Sequence, residues 1–132
     1  MDENAPVLLI SVREVAERHA GLELLVLFGS RGRGDETARS DWDFGYIGDE
    51  RFDPDRLLAD LVLALGTERV DLANLKRANG LLRFRAARDG KPIFEVRPEA
   101  FARFWFEAVS FWCDAEPVLR EGYQGVLERL GP

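Results

Sequence analysis

The stretch LELLVLFGSRGRGDETARSDWDFGYIGD, residues 22–49, decides the fold. Its beginning, 22–28, is short and almost wholly apolar and stops at the glycine–serine pair 29–30, which predicts a buried strand that ends in a turn. A polar, glycine-rich loop is predicted over 29–41, with room for a short helical turn. In residues 42–47 large apolar side chains alternate with other residues, as they do in a strand. The two strands are close enough in sequence to form a hairpin-like pair.

Helical and strand patterns alternate on both sides of this stretch. Apolar positions recur with helical spacing before it, and short apolar runs separated by helical patterns follow it. The predicted elements are helix 6–20, helix 55–65, strand 69–75, helix 77–88, strand 91–96 and two C-terminal helices at about 98–113 and 116–130. The last strand begins near a proline, which favours an edge position because proline lacks the N–H that a central strand donates. We therefore expect an α+β fold, a small mixed β-sheet with helices packed mainly on one face.

Length and composition predict one domain over residues 1–132, with a core at about 22–96 and C-terminal helices at about 98–130. No apolar run reaches the roughly 18 residues of a membrane helix, and the acidic N-terminus is unlike a secretory signal. The chain has one cysteine, which excludes an internal disulfide and is typical of a reducing compartment, so we expect a cytoplasmic protein without membrane partners. The net charge of −6 argues against stable binding of long nucleic acid, but not against a nucleotide held through metal ions.

Three features predict the chemistry. Gly29 and Ser30 follow the buried strand, where glycine lets the backbone approach a phosphate and the serine hydroxyl adds a donor. Asp41 and Asp43 stand two residues apart at the start of the next strand and so point to the same face. Asp71 lies early in the following strand and adds a third carboxylate. Carboxylate oxygens are the ligands that Mg²⁺ prefers, and three of them suit a site for two metal ions.

Such a site has a clear chemical use. Two Mg²⁺ or Mn²⁺ ions held by the three aspartates would neutralise a nucleoside triphosphate and activate an incoming hydroxyl for in-line attack on the α-phosphorus. Asp71 is also placed to accept the proton of that hydroxyl. The pattern therefore predicts a metal-dependent nucleotidyltransferase. The pattern does not reveal the preferred NTP or the acceptor. It also leaves open whether the chain forms a homo-oligomer or a hetero-oligomer.

The glycine–serine turn and the three aspartates, in that order, resemble the DNA polymerase β-like nucleotidyltransferase superfamily. The finer pattern GSRGRG…SDWDFGYIGD at 29–49 resembles the minimal nucleotidyltransferases of HEPN/MNT toxin–antitoxin pairs. The segment VDLANLKRANGLLRFRAARDGKPIFE at 70–95 is similar to the second half of that family. The resemblance covers residues 22–96, and the C-terminal helices match no motif.

This resemblance implies a palm-like fold in which the three aspartates are the catalytic metal ligands and the glycine–serine turn binds the phosphates. Arg33 stands where the family motif also has arginine, which implies a nucleotide-binding role. The implied reaction is AMP transfer from ATP to a tyrosine of a partner HEPN ribonuclease, which this antitoxin would thereby silence. The family often has alanine at Gly32 and an aliphatic residue at Trp42. We expect Trp42 to point away from the aspartates into the core.

Two other functions are open at this stage. An antitoxin could block its toxin by contact alone, without turnover. Alternatively, the nucleotide could be transferred to a small molecule such as an aminoglycoside, although enzymes of that kind usually carry a larger acceptor-binding domain.

Two groups of side chains allow two interpretations each. Arg31, Arg33 and Arg39 precede the aspartates, so one of them could clamp a triphosphate, or all three could simply neutralise a solvated acidic loop. The aromatic segment 101–112 predicts a helix with one buried face, with Trp112 continuing that face and Phe106 outside it. This segment could form core alone or also leave a surface for a partner.

Overall fold

Ten elements build the computed structural model, which describes residues 5–112 and 116–130. In chain order they are α1 (Ala5–Glu17), β1 (Leu22–Phe28), α2 (Gly29–Arg33), β2 (Trp42–Gly48), α3 (Pro54–Leu65), β3 (Val70–Asn74), α4 (Gly80–Asp89), β4 (Lys91–Glu95), α5 (Ala100–Trp112) and α6 (Glu116–Leu130). The four strands form one sheet in the order β3–β2–β1–β4. The two strands of the opening stretch therefore lie side by side at its centre.

The sheet is mixed. Strand β1 pairs antiparallel with both β2 and β4, whereas β2 and β3 run parallel. Strand β4 lies at an edge, and Pro92 is its second residue, so the edge position predicted from that proline is confirmed. The predicted α+β class with a mixed sheet is confirmed as well.

The helices cover both faces of the sheet, which corrects the expectation that they pack mainly on one. Leu25 and Leu27 of β1 face a core shared with α1 and α3. Leu24, Val26 and Phe28 of the same strand face a second core shared with α4 and α5, and α6 packs on α5. Because β1 is apolar on both faces, each face has to be covered, and helices on one side alone would leave half of it in water.

Two helices differ from their predicted bounds by three residues at one end. The first helix, expected over 6–20, ends at Glu17. The helix expected over 77–88 begins at Gly80, because the side chain of Asn79 accepts a hydrogen bond from the backbone N–H of Leu82 (2.9 Å) and so caps it. Residue 113, the last of the helix predicted at 98–113, lies outside the described residues.

Helix α5 carries the aromatic segment, and most of its predicted buried face is confirmed. Phe101, Phe104, Trp105 and Val109 are buried, and Phe106 is exposed. Trp112 does not continue the buried face as expected, since it is half exposed and stacks on a side chain of α4. Within the described ranges, none of the helices, α5 included, is long and apolar enough to pass through a membrane.

Candidate active site

The predicted site residues gather where β1 ends and where β2 and β3 begin. Gly29 starts the short helix α2 directly after β1 and has a left-handed backbone, with φ of +66°. A Cβ at this position would collide with the carboxylate of Asp43. Glycine is therefore required here for two reasons, the backbone angle and the close approach of an acidic side chain. Ser30 follows as the second residue of α2, and its carbonyl accepts backbone hydrogen bonds that close the turn.

Asp43 and Asp71 face each other across neighbouring strands. The parallel register of β2 and β3 pairs the two residues directly, and on its other side Asp43 is opposite Phe28, the last residue of β1. Burial raises the pKa of the Asp43 carboxyl, and the charges of Asp71 and Asp41 raise it further, while Arg33 opposes this shift. The structure thus brings these carboxylates together.

Asp41, the third predicted ligand, is engaged by a cation from the protein itself. It precedes β2, and its Oδ1 accepts a hydrogen bond from Nε of Arg69 at 2.9 Å. In the part of the chain that the structure describes, no three acidic, histidine or cysteine side chains are gathered into a ready-made metal site. Asp41, Asp43 and Asp71 are nevertheless the residues that could hold a divalent ion here, because Asp41 lies close enough to raise the pKa of Asp43.

Arg33, the predicted nucleotide-binding arginine, lies at the border of this site. Its Nε donates to Asp35 (3.2 Å) and its Nη1 to Asp89 (3.3 Å), and its charge reaches Asp43. Asp89 is only 8 % exposed and also accepts from Arg88, whose hydrogen bond is the main cause that lowers the pKa of the Asp89 carboxyl. The pair Asp89 and Arg88 was not identified from the sequence. Asp89 therefore binds both Arg88 and Arg33, and of these two arginines Arg33 is the one whose charge acts on Asp43.

Arg31 has a different role from the two predicted for it. Its side chain is buried (7 % exposed), so it neither clamps a ligand nor belongs to a solvated loop. Its guanidinium lies 4.0 Å from the centre of the Trp42 ring and donates to the carbonyls of Ser40 (3.0 and 3.2 Å) and Thr37 (3.4 Å). Trp42 points into the core, as expected, and stacks on Phe44. Arg31 therefore fastens the loop that leads into the aspartates.

The site is open to solvent rather than enclosed. Asp71 is exposed, and the side chain of Asp41 is 51 % exposed. Two concavities of about 670 and 870 Å³ lie near the other end of the sheet, where β1 begins, and none of the six predicted site residues lines either of them. The carboxylates of Asp41 and Asp71 are therefore accessible from solvent.

Comparison with known proteins points to one family. Residues 11–99 match the family described as Polymerase beta, Nucleotidyltransferase. Over 95 residues the chain is 33 % identical to the protein adenylyltransferase MntA of Aphanizomenon flos-aquae (strain 2012/KM1/D3). The matched segment spans 63 % of this chain and 63 % of that protein, so less than two thirds of the relative's length is represented.

Two solved structures share the fold. One is a crystal structure of a toxin–antitoxin with AMP-PNP, with a TM-score of 0.66 and 21 % identity over 92 % of this chain and 97 % of that chain. The other is the tri-AMPylated Shewanella oneidensis HEPN toxin in complex with MNT antitoxin, with a TM-score of 0.63 and 19 % identity over 95 % of this chain and 97 % of that chain. At these identities the likeness establishes the arrangement of elements.

Proposed function

This chain belongs to the polymerase beta nucleotidyltransferase family, and we propose that it transfers AMP from ATP to a tyrosine hydroxyl of a HEPN-type toxin and so acts as its antitoxin. The observation that carries the proposal is the register that sets Asp43 opposite Asp71 beside the Gly29 turn. The relative that shares 33 % identity is a protein adenylyltransferase. The exposure of Asp71 and Asp41 supports a protein acceptor, because it leaves the carboxylates within reach of a large partner.

The residues present fit divalent cations. Asp41 and Asp71 lie close enough to raise the pKa of Asp43. A cation between these like charges would relieve their repulsion, and their hard oxygens suit Mg²⁺ or Mn²⁺. We propose that Asp41, Asp43 and Asp71 hold two such ions, with Asp41 leaving its ion pair with Arg69. When bound, the ions would supply charge neutralisation of the triphosphate and of the attacking oxygen.

The chain's own residues would perform the remaining work. The backbone at Gly29 and Ser30 approaches the phosphates, and the Ser30 hydroxyl donates to them. Arg33 adds positive charge at the same border. The acceptor oxygen forms a bond to the α-phosphorus while the bond from that phosphorus to pyrophosphate breaks. Asp71, exposed at the front of the site, takes the proton that the hydroxyl loses, directly or through water.

The direct test is transfer of labelled AMP. The purified chain is incubated with the HEPN toxin, Mg²⁺ and α-labelled ATP, and the toxin is then mapped by mass spectrometry. We expect label on a toxin tyrosine with the wild-type chain and with Asp55→Asn, an exposed acid in the first turn of α3 that serves as the matched control. Asp43→Asn should abolish the label and leave the ribonuclease active.

Two results would contradict the proposal in different ways. Transfer by Asp43→Asn at the wild-type rate would show that the carboxylates are not the catalytic groups. Neutralisation of the toxin by the double variant Asp41→Asn/Asp43→Asn, without any label, would favour an antitoxin that acts by contact alone.

A further inference from the structure

Arg69 shares the face of the sheet that carries the aspartates. The register pairs Asp43 with Asp71, and the carbonyl of Arg69 accepts a hydrogen bond from the backbone N–H of Trp42 at 2.9 Å. Residues two apart on a strand point to one face, so Arg69 stands opposite Asp41 as Asp71 stands opposite Asp43. The Arg69 guanidinium therefore lies beside Asp41, one of the three carboxylates, and its Nε donates to Asp41 Oδ1 at 2.9 Å.

The ion pair between Arg69 and Asp41 is suited to being exchanged. The two side chains are 54 % and 51 % exposed, so water competes for both partners. Exposed pairs of this kind favour the paired state by at most about fivefold, which a divalent cation can overcome. A buried pair, by contrast, would lock Asp41 away from any incoming ligand.

We propose that Arg69 is a counter-ion that holds Asp41 until a divalent cation and a nucleoside triphosphate bind, and that the released guanidinium then contacts the triphosphate. The inference rests on the proposed function, because it assigns a role to Arg69 within the same site. A guanidinium that loses its carboxylate beside bound phosphates has a ready partner, since arginine binds phosphate oxygens through paired hydrogen bonds. Arg69 would thereby couple the binding of metal and of nucleotide.

The coupling gives two effects of opposite sign for Arg69→Gln. Without nucleotide, the variant has no internal competitor for Asp41 and should bind Mn²⁺ about two- to fivefold more tightly than the wild type. At saturating Mn²⁺ it lacks a phosphate contact and should bind a non-hydrolysable ATP analogue on the order of tenfold more weakly. A variant that merely damaged the fold would weaken both.

Both quantities can be measured on the full chain without turnover. Free Mn²⁺ is followed by electron paramagnetic resonance, and a fluorescent non-hydrolysable ATP analogue is followed by anisotropy. Arg39→Gln is the matched control for the Mn²⁺ titration. It removes the same charge two residues from Asp41, and within the described residues Arg39 makes no ion pair with that acid. In an Asp41→Asn background, Arg69→Gln should leave Mn²⁺ affinity unchanged.

The outcomes separate this inference from the function on which it rests. Unchanged Mn²⁺ affinity in Arg69→Gln, or a gain no larger than that of Arg39→Gln, overturns the role of Arg69 while the metal site stands, provided that Asp43→Asn still abolishes Mn²⁺ binding. If the wild-type chain binds no Mn²⁺ even with the ATP analogue, the metal site itself is refuted, and the counter-ion role falls with it.

Discussion

Replacing Gly29 with alanine separates the geometry of the site from the stability of the fold. The backbone there has φ of +66°, and the added methyl group would collide with the carboxylate of Asp43. That carboxylate ends a short side chain that can rotate away. The collision should therefore be relieved by moving Asp43 rather than by disrupting the core. The substitution should therefore displace the carboxylate that we propose to be catalytic and leave the fold largely intact.

The chain contains a matched control for this experiment. Gly66, at the end of α3, has φ of +68°, and a Cβ there meets nothing within 4 Å. Alanine in the left-handed region costs about 1–2 kcal/mol at either position, which corresponds to a fall in Tm of roughly 4–8 °C. The displacement of Asp43 occurs only in Gly29→Ala. A misplacement of about 1 Å in a catalytic group can reduce the rate on the order of 100-fold.

We expect Gly29→Ala and Gly66→Ala to lose similar stability in thermal unfolding but to differ widely in activity. AMP transfer to the toxin, measured well below either Tm, should fall on the order of 100-fold in Gly29→Ala and stay near the wild-type rate in Gly66→Ala. If Gly29→Ala transfers AMP as fast as Gly66→Ala, the close contact of the turn with Asp43 has no catalytic meaning and the reasoning is wrong.

Three further predictions concern single side chains. Arg31→Ala should destabilise the chain by about 2–4 kcal/mol in denaturant unfolding, because it removes charged hydrogen bonds and a cation–π contact, whereas exposed Arg39→Ala should stay within about 0.5 kcal/mol; equal losses would contradict the loop-fastening role. Asp89→Asn should lower Tm at pH 7. Arg88 and Arg33 lower the pKa of the Asp89 carboxyl in the folded chain. The ionised carboxylate therefore stabilises the fold at pH values above its ordinary pKa near 4, and this stabilisation is lost as the pH falls through the lower pKa of the folded state. Plots of Tm against pH for the wild type and Asp89→Asn should therefore converge in acid. Asp43→Asn should be at least as stable as the wild type at pH 7, since burial and like charges raise the pKa of Asp43 and disfavour its ionised form; the difference should vanish below about pH 4, and a large loss of stability at pH 7 would instead indicate a structural acid.

The centre of the fold could be predicted because its signals are local. The strand at 22–28 is a continuous apolar run that stops at a glycine, and its predicted bounds are those of β1. The edge position of β4 could be predicted from Pro92 alone, because proline lacks the backbone N–H that a central strand donates to its neighbour. The family predicted from the ordered motif is confirmed by the match over 11–99. The roles of the individual site residues remain predictions.

The features that could not be predicted depend on how distant segments meet. The apolar run of β1 indicates burial, but the helices that cover each face are determined by the whole topology. The burial of Arg31 depends on the ring of Trp42, which the loop brings within 4.0 Å. The ion pair of Arg69 with Asp41 follows from the parallel register of β2 and β3. That register depends on how the two strands pair and cannot be predicted from the sequence of either strand alone.

The central claim is that Asp43 and Asp71 jointly bind the metal ions that the transfer of AMP requires. The most direct measurement is a crystal structure of the chain with Mn²⁺ and a non-hydrolysable ATP analogue, in which the anomalous signal of manganese locates the ions. The account predicts manganese between these two carboxylates, with the triphosphate against the Gly29 turn. Manganese bound elsewhere, with both carboxylates left free, would contradict it.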